Sequence, residues 1–184
     1  VPLPALARQQ RRGWEPGSRF EYTSMNSFVL GWIVAEATGV PYHRYIEQKL
    51  WQPAGMESTV WLGNDSNGNS MAYCCYYATV RDFARFGLLY LRGGQADGRQ
   101  VVPEAWVKES TRPSASFNDG YGLHWWLGES GDFMATGLAG QRIYVSPEHQ
   151  VVIVKSTLAT VLGEEETETA FRAVAEAVAR TRLS

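Results

Sequence analysis

The sequence has no run of about 18 apolar residues, the length that a membrane span needs, and no long cluster of basic residues. Its 184 residues include 17 Lys and Arg against 19 Asp and Glu, which gives a formal net charge of -2. No basic stripe is present that would attract nucleic acid or anionic lipid. Because 45% of the residues are hydrophobic, the chain can bury one ordinary core. We therefore expect one globular domain without a nucleic-acid or membrane partner.

Cysteine and histidine are both scarce. The two cysteines, Cys74 and Cys75, are adjacent, and a bridge between neighbours strains the backbone, so we expect two free thiols. Free thiols favour the cytoplasm over the periplasm, and a vicinal redox or metal site is the alternative. The histidines are dispersed, at His43, His124 and His149. No metal or cofactor is expected.

Lysine is scarcer still for a chain of this length. The three lysines are Lys49, Lys108 and Lys155, and none of them has a serine three positions earlier. A lysine at that spacing can lie beside a serine hydroxyl and activate it as a nucleophile. The sequence therefore contains no Ser-x-x-Lys arrangement.

Periodicity and turn residues predict helices first and a sheet with a final helix last, which is an α+β layout. Residues 1–19 are rich in proline and predict an irregular lead-in, residues 20–111 are mainly helical, and residues 112–184 contain the sheet strands and the terminal helix. Predicted helices run from a cap at Ser24 to a stop at Gly39 and from a capping box at Thr79 to Gly93, and three more span residues 42–51, 103–110 and 164–180. Predicted strands span residues 121–127, 133–136, 141–145 and 151–157.

The first candidate motif surrounds Tyr22. The segment Phe20-Glu21-Tyr22-Thr23-Ser24-Met25-Asn26 leads into a helix that ends at Gly39, and it resembles the Tyr-containing motif of class C β-lactamases, DD-peptidases, family VIII esterases and 6-aminohexanoate hydrolases. The resemblance implies that Tyr22 shuttles the proton of a nucleophilic serine. Many members carry Asn where this chain has Ser24, so Asn26 is the candidate for that substrate contact. A phenol is only about 0.1% ionised at pH 7, so it needs a nearby cation to act as a base.

The second candidate motif is Ala135-Thr136-Gly137, followed by Leu138 and the apolar strand Val151–Val154. It resembles the third motif of the same superfamily, usually Lys-Thr-Gly or His-x-Gly. The resemblance implies that the Leu138 N–H holds an oxyanion and that Gly137 lets the acyl group approach. Ala135 stands where the family carries the cation that binds a substrate carboxylate. The loss of that charge disfavours β-lactam substrates and favours the esterase and 6-aminohexanoate hydrolase branch. An edge strand with a glycine bulge is the alternative interpretation.

Two further segments support the resemblance. Residues 77–87 resemble the family helix that follows the Tyr motif, where Arg81, Asp82 and Arg85 are expected to serve capping and a structural ion pair. Residues 121–126 resemble the aromatic strand beside the pocket. Trp125 and Trp126 must point to opposite faces, so at most one of them lines the site, and we assign Trp126 to substrate binding. His124 is a candidate general base.

Together these matches imply a partial β-lactamase-like (DD-peptidase) fold of antiparallel sheet and helices, with residues 1–184 as the C-terminal portion of one domain. They imply a serine hydrolase acting on a small ester or amide through an acyl-enzyme, with its Ser-x-x-Lys in a segment outside this chain, on the same or a separate polypeptide. The segment alone is then expected to be inactive and to expose a sheet edge and apolar surface. The alternatives are a non-catalytic binding or scaffold relative, and a self-sufficient hydrolase that uses His124 or a cysteine.

Overall fold

The computed structural model describes residues 2–158 and 163–181. The chain divides into two compact units, residues 1–79 and 80–184, which are treated in turn. Among the helices of the described residues, none combines the length and the apolar character that crossing a bilayer would take.

The first unit consists of three helices and a two-stranded antiparallel ribbon. The helices are α1 (Leu3–Gln9), α2 (Ser24–Thr38) and α3 (Tyr42–Ile46), and the strands are β1 (Trp61–Leu62) and β2 (Tyr76–Tyr77). Helix α2 ends before Gly39 as predicted, and its N-cap is Thr23, one residue before the predicted cap Ser24. The Phe28 side chain is buried on one face of this helix. Gly39, at φ 67°, ends the helix and donates its N–H to Ala35 O at 3.0 Å. After Ile46, α3 widens into a π-helical turn, Glu47–Trp51, within the range predicted as one helix.

The prediction of an irregular lead-in is wrong for its first part, because Leu3–Gln9 forms α1. Proline normally interrupts a helix, but in the first turn its missing N–H is not needed and its fixed φ suits the helix. Pro2 and Pro4 stand at that end. The N-terminus is also tied down, since Leu3 N–H donates to Asp65 Oδ2 at 3.0 Å.

Asp65 organises the loop between β1 and β2. Besides Leu3 N–H, its carboxylate accepts the N–H groups of Asn67 and Asn69, each at 2.9 Å, and the Asn69 side-chain amide at 2.8 Å. The hydrogen bond from Leu3, followed by those from Asn69 and Asn67, holds the pKa of Asp65 well below its usual range. The ionised carboxylate is thus the form that the folded loop favours.

This arrangement predicts a pH-dependent contribution to stability. A carboxyl whose pKa is lowered by folding stabilises the protein above its unfolded pKa of about 3.9, and that contribution is lost as the pH falls through the folded value. We expect Asp65→Asn to lower the melting temperature at neutral pH and the gap to wild type to narrow under acid conditions. Thermal unfolding followed by circular dichroism checks this, with the exposed Asp119→Asn as control. A gap that stays constant with pH would contradict it.

The prediction of free thiols is also wrong, because Cys74 and Cys75 form a disulfide. The backbone at Cys75 takes a left-handed conformation, with φ 69°, in the turn before β2. This conformation departs from the extended backbone that sends neighbouring side chains to opposite sides. Because both thiols are in the disulfide, they do not indicate a cytoplasmic location.

The second unit places a four-stranded antiparallel sheet between helices. Its helices are α4 (Val80–Leu91), α5 (Glu104–Ser110) and α6 (Glu164–Thr181). A short hairpin of β3 (Gln95–Ala96) and β4 (Arg99–Gln100) follows α4, and the sheet has the order β5 (Trp126–Leu127), β6 (Phe133–Gly137), β7 (Gln141–Ser146) and β8 (Val151–Lys155).

Strand alternation divides the apolar residues of this unit between the two faces of the sheet. One face carries Trp125, Phe133 and Val145, against which Phe86 and Tyr90 of α4 pack. The other face carries a cluster with α6, formed by Met134, Tyr144, Val151 and Ala175. Because both faces are covered, the middle strands β6 and β7 are held rigidly in register.

The predicted strand over residues 121–127 is much shorter than expected. Only Trp126 and Leu127 lie in β5, and Gly122 N–H donates to Trp125 O at 2.8 Å across a tight turn. His124 in that turn has φ 67°, which is incompatible with a strand. The β-forming residues of the segment indicated a strand, but the turn takes precedence over their propensity.

Gly94, at the start of the hairpin after α4, offers a test of this unit. Its φ is 87°, and a Cβ placed there would lie 2.0 Å from Val102 O. We expect Gly94→Ala to lower the free energy of unfolding by about 3 kcal/mol, from the left-handed backbone plus the clash. The matched control is Gly98→Ala, with φ 74° but no atom within 4 Å of the added Cβ, which should cost about 1–2 kcal/mol. Urea denaturation measures both, and equal losses would contradict the clash.

Candidate active site

In the first unit, Tyr22 lies on the extended segment that enters α2. It is 58% exposed, so its ring is accessible from solvent. Asn26 lies in the first turn of α2, four residues later, and is also exposed, with its backbone N–H donated to Thr23 O at 3.3 Å. The sequence-predicted pair thus lies at the N-terminal end of one well-formed helix.

Arg19 is the cation closest in sequence to Tyr22, and it has two other partners. Its guanidinium lies over the Trp14 ring, 3.3 Å from the centroid, and forms an ion pair with Glu21 at 3.4 Å. These contacts hold Arg19 on the segment before α2, and the catalytic role of Tyr22 remains a prediction.

In the second unit, the predicted site residues cluster at the end of β6. Gly137 pairs with Gln141 in an unbroken register that begins at Phe133 and Val145, so β6 has no bulge at its glycine. Leu138 follows and is 95% exposed. Strand β5 pairs only with Met134 and Phe133, so among the described residues the outer edge of Ala135–Gly137 has no strand partner. An extended group could pair with β6 there.

Ala135 and Trp126 lie on opposite faces of the sheet. Ala135 is half-buried and packs with the cluster on the α4 face, whereas Trp126 packs with the cluster on the α6 face and meets Tyr121 edge-on, with centroids 4.9 Å apart. Trp125 is buried on the α4 face. The structure therefore does not bring Trp126 together with Ala135 and Gly137, and its predicted substrate contact gains no support.

Gln141 is a residue of this site that sequence reasoning did not single out. A Cβ at Gly137 would lie 3.0 Å from Gln141 Cβ and 3.4 Å from its Cγ, so the glycine makes room for this side chain. The Gln141 amide bonds to both backbone groups of Thr157. In the sequence, Gln141 is visible only as part of the Gly140-Gln141 pair after Gly137. Its contacts with Gly137 and Thr157 follow from the strand register, which the sequence does not give.

One serine–histidine contact exists that the sequence did not predict. Ser146 Oγ lies 2.9 Å from His149 Nδ1, at the turn between β7 and β8. Such a contact resembles a nucleophile with its base, but Ser146 is fully buried and no substrate carbonyl could reach it. The contact is structural. His124 is exposed in its turn, and its proposed role as a base remains a prediction.

The pair formed by Asp82 and Arg85 has the structural role expected from the sequence. Asp82 is fully buried in the first turn of α4, and Arg85 Nη1 lies 3.2 Å from its Oδ1. Removing Arg85 would take the ion-pair partner away from the buried Asp82 carboxylate, which is costly in the low-dielectric interior. The pair therefore stabilises the start of α4.

Solved structures define the class of this fold. The chain is similar to a Bacillus anthracis protein provisionally named 6-aminohexanoate-dimer hydrolase, with a TM-score of 0.87 and 25% identity over 97% of this chain and 49% of that one. A Mycobacterium bovis beta-lactamase shares the fold, with a TM-score of 0.61 and 23% identity over 77% of this chain and 57% of that one. The fold is therefore β-lactamase-like and present in part.

The chain belongs to the beta-lactamase family, whose profile matches residues 2–179. It is 32% identical over 158 residues to the 6-aminohexanoate-dimer hydrolase of Paenarthrobacter ureafaciens, covering 78% of this chain and 40% of that protein. The chain thus spans less than half the length of these two 6-aminohexanoate-dimer hydrolase relatives. The resemblance inferred from the two motifs is confirmed, and the relatives are named as hydrolases.

Proposed function

We propose that this chain is the C-terminal portion of a serine hydrolase that cleaves ester or amide bonds of small molecules through an acyl-enzyme. The observation that carries the proposal is the open end of β6. Within the described residues, the outer edge of Ala135–Gly137 has no strand partner, and the next residue, Leu138, is 95% exposed. An acyl group can approach a backbone N–H there without displacing a side chain.

Each residue has a separate role in the proposed reaction. A serine hydroxyl attacks the carbonyl carbon, and Tyr22, as phenolate beside a lysine, takes its proton. The Leu138 N–H donates to the oxyanion of the tetrahedral intermediate. Tyr22 returns the proton to the leaving oxygen or nitrogen as the carbon–heteroatom bond breaks. Water then repeats the sequence on the acyl-enzyme and releases the acid.

The nucleophile must come from outside these residues, because no Ser-x-x-Lys occurs among them. Exposed apolar side chains favour the proposal that a further portion of the fold lies outside these residues. Leu30 and Ile33 stand three residues apart on α2, and Trp61 and Tyr77 are directly opposite in the β1–β2 ribbon, 72% and 66% exposed. Strand β8 also has no partner on its outer edge within the described residues. Soluble proteins rarely leave such surfaces uncovered.

Ala135 narrows the substrate class. A methyl group packed into the α4-face cluster offers no charge to a substrate carboxylate. Substrates of the β-lactam type, which depend on such a charge, are disfavoured, and neutral ester or amide groups are favoured.

The test is hydrolysis of a p-nitrophenyl ester by the natural chain that carries these 184 residues, with a fluorophosphonate as covalent inhibitor. We expect the natural chain to hydrolyse the ester and to lose this activity once the fluorophosphonate has reacted with it. Residues 1–184 alone should show neither hydrolysis nor labelling. An inert natural chain would favour the non-catalytic binding or scaffold relative.

A further inference from the structure

The side chain of Gln141 extends the pairing of β7 with β8 by one step. The last backbone register pair is Arg142 with Lys155. Beyond it, Gln141 Nε2 donates to Thr157 O and Gln141 Oε1 accepts the Thr157 N–H at 3.1 Å. A side-chain amide carries the same donor and acceptor as a peptide group, so Gln141 acts here as one more residue of the ladder.

The stem of the same side chain lies against β6. Gln141 pairs with Gly137, and its Cβ and Cγ lie 3.0 and 3.4 Å from the position that a Gly137 Cβ would take, closer than side-chain atoms normally approach. One side chain therefore fixes the end of β6 with its carbon atoms and the continuation of β8 with its amide. Leu138 directly follows Gly137, so the position of its backbone N–H depends on how the end of β6 is held.

The turn between β6 and β7 needs such support. Ala139 and Gly140 both have left-handed backbones, with φ of 59° and 83°. A non-glycine residue such as Ala139 is disfavoured in that region and persists only when its surroundings hold it. From these contacts we infer that Gln141 is a positioning residue that orients the Leu138 N–H towards the substrate carbonyl. The inference rests on the proposed role of Leu138.

The test compares three variants in the natural chain. Gln141→Met keeps the stem and removes the amide, and we expect kcat to fall about ten- to hundredfold with little change in KM, since the displaced donor acts in the transition state. Gln141→Glu lacks the donor when ionised and regains it when protonated. Its activity relative to wild type should therefore rise as the pH falls from about 7 towards the carboxyl pKa of about 4. Gln95→Met, the same change in the exposed hairpin, should leave kcat unaltered.

Hydrogen exchange separates this inference from the proposed function. Gln141→Met should speed amide exchange in residues 137–141, relative to both wild type and Gln95→Met, whether or not the chain hydrolyses esters. If wild type shows no turnover, the proposed function fails and the exchange result alone decides the role of Gln141. Unchanged exchange in that segment, or a loss confined to KM, would overturn the inference.

Discussion

Replacing Tyr22 by Phe in the natural chain should abolish most ester hydrolysis, with kcat reduced about a hundred- to ten-thousandfold, the range that proton transfer by a positioned group contributes. The change removes one oxygen from a side chain that is 58% exposed, so we expect little change in the melting temperature. Initial rates with a p-nitrophenyl ester and the melting temperature of each variant measure the two effects.

The matched control is Tyr77→Phe, which deletes the same atom from another exposed tyrosine of the first unit. We expect it to retain wild-type kcat. The proton-shuttle role is refuted by a Tyr22→Phe variant that hydrolyses the ester at a rate close to that of Tyr77→Phe.

Leu138→Pro should lower kcat about a hundred- to a thousandfold, because proline removes the backbone N–H that would hold the oxyanion. The site can accept the ring. Leu138 has helical dihedral angles at the start of a 3-10 turn, Gly137 before it is extended at ψ 165°, and the side chain is 95% exposed. Both kcat and kcat/KM should fall together, since the donor acts in the transition state.

Leu138→Ala provides the comparison, because it shortens the exposed side chain and keeps the N–H. We expect its kcat to stay near wild type, and both variants should melt near the wild-type temperature. If Pro and Ala at this position have the same kcat, the oxyanion is not held by this N–H.

The sequence predicted best where local signals agree. The sequence predicts helix α2 to within one residue, because the apolar spacing from Phe28 onward and the glycine at position 39 mark the same element. Helix α6 was placed to within one residue for the same reason. The sequence does not predict helix α1, because proline usually interrupts a helix, whereas Pro2 and Pro4 stand at its first turn.

Two of the errors share one physical cause, which is a left-handed backbone at non-glycine residues. His124 and Cys75 both have positive φ, which shortened a predicted strand and brought two cysteines into a disulfide. Residue preferences alone give little indication of a left-handed backbone at such residues, because tertiary contacts impose it.

For the candidate site, the sequence predicts which residues take part, whereas the contacts that hold them depend on the fold. The exposed position of Leu138 and the glycine before it agree with the motif at residues 135–137. The role of Gln141 could not be seen, because it depends on which residues pair across β6, β7 and β8. Trp126 was assigned by strand alternation, and alternation correctly separated it from Trp125, but the helix α6 covers the face on which it lies.

Mapping the residue that a fluorophosphonate labels in the natural chain tests the central claim most directly. The label should be found by peptide mass spectrometry on one serine of a Ser-x-x-Lys sequence outside residues 1–184, since no such arrangement occurs within them. A label on a serine within residues 1–184, or an intact protein that takes up no label while fully folded, would contradict the account.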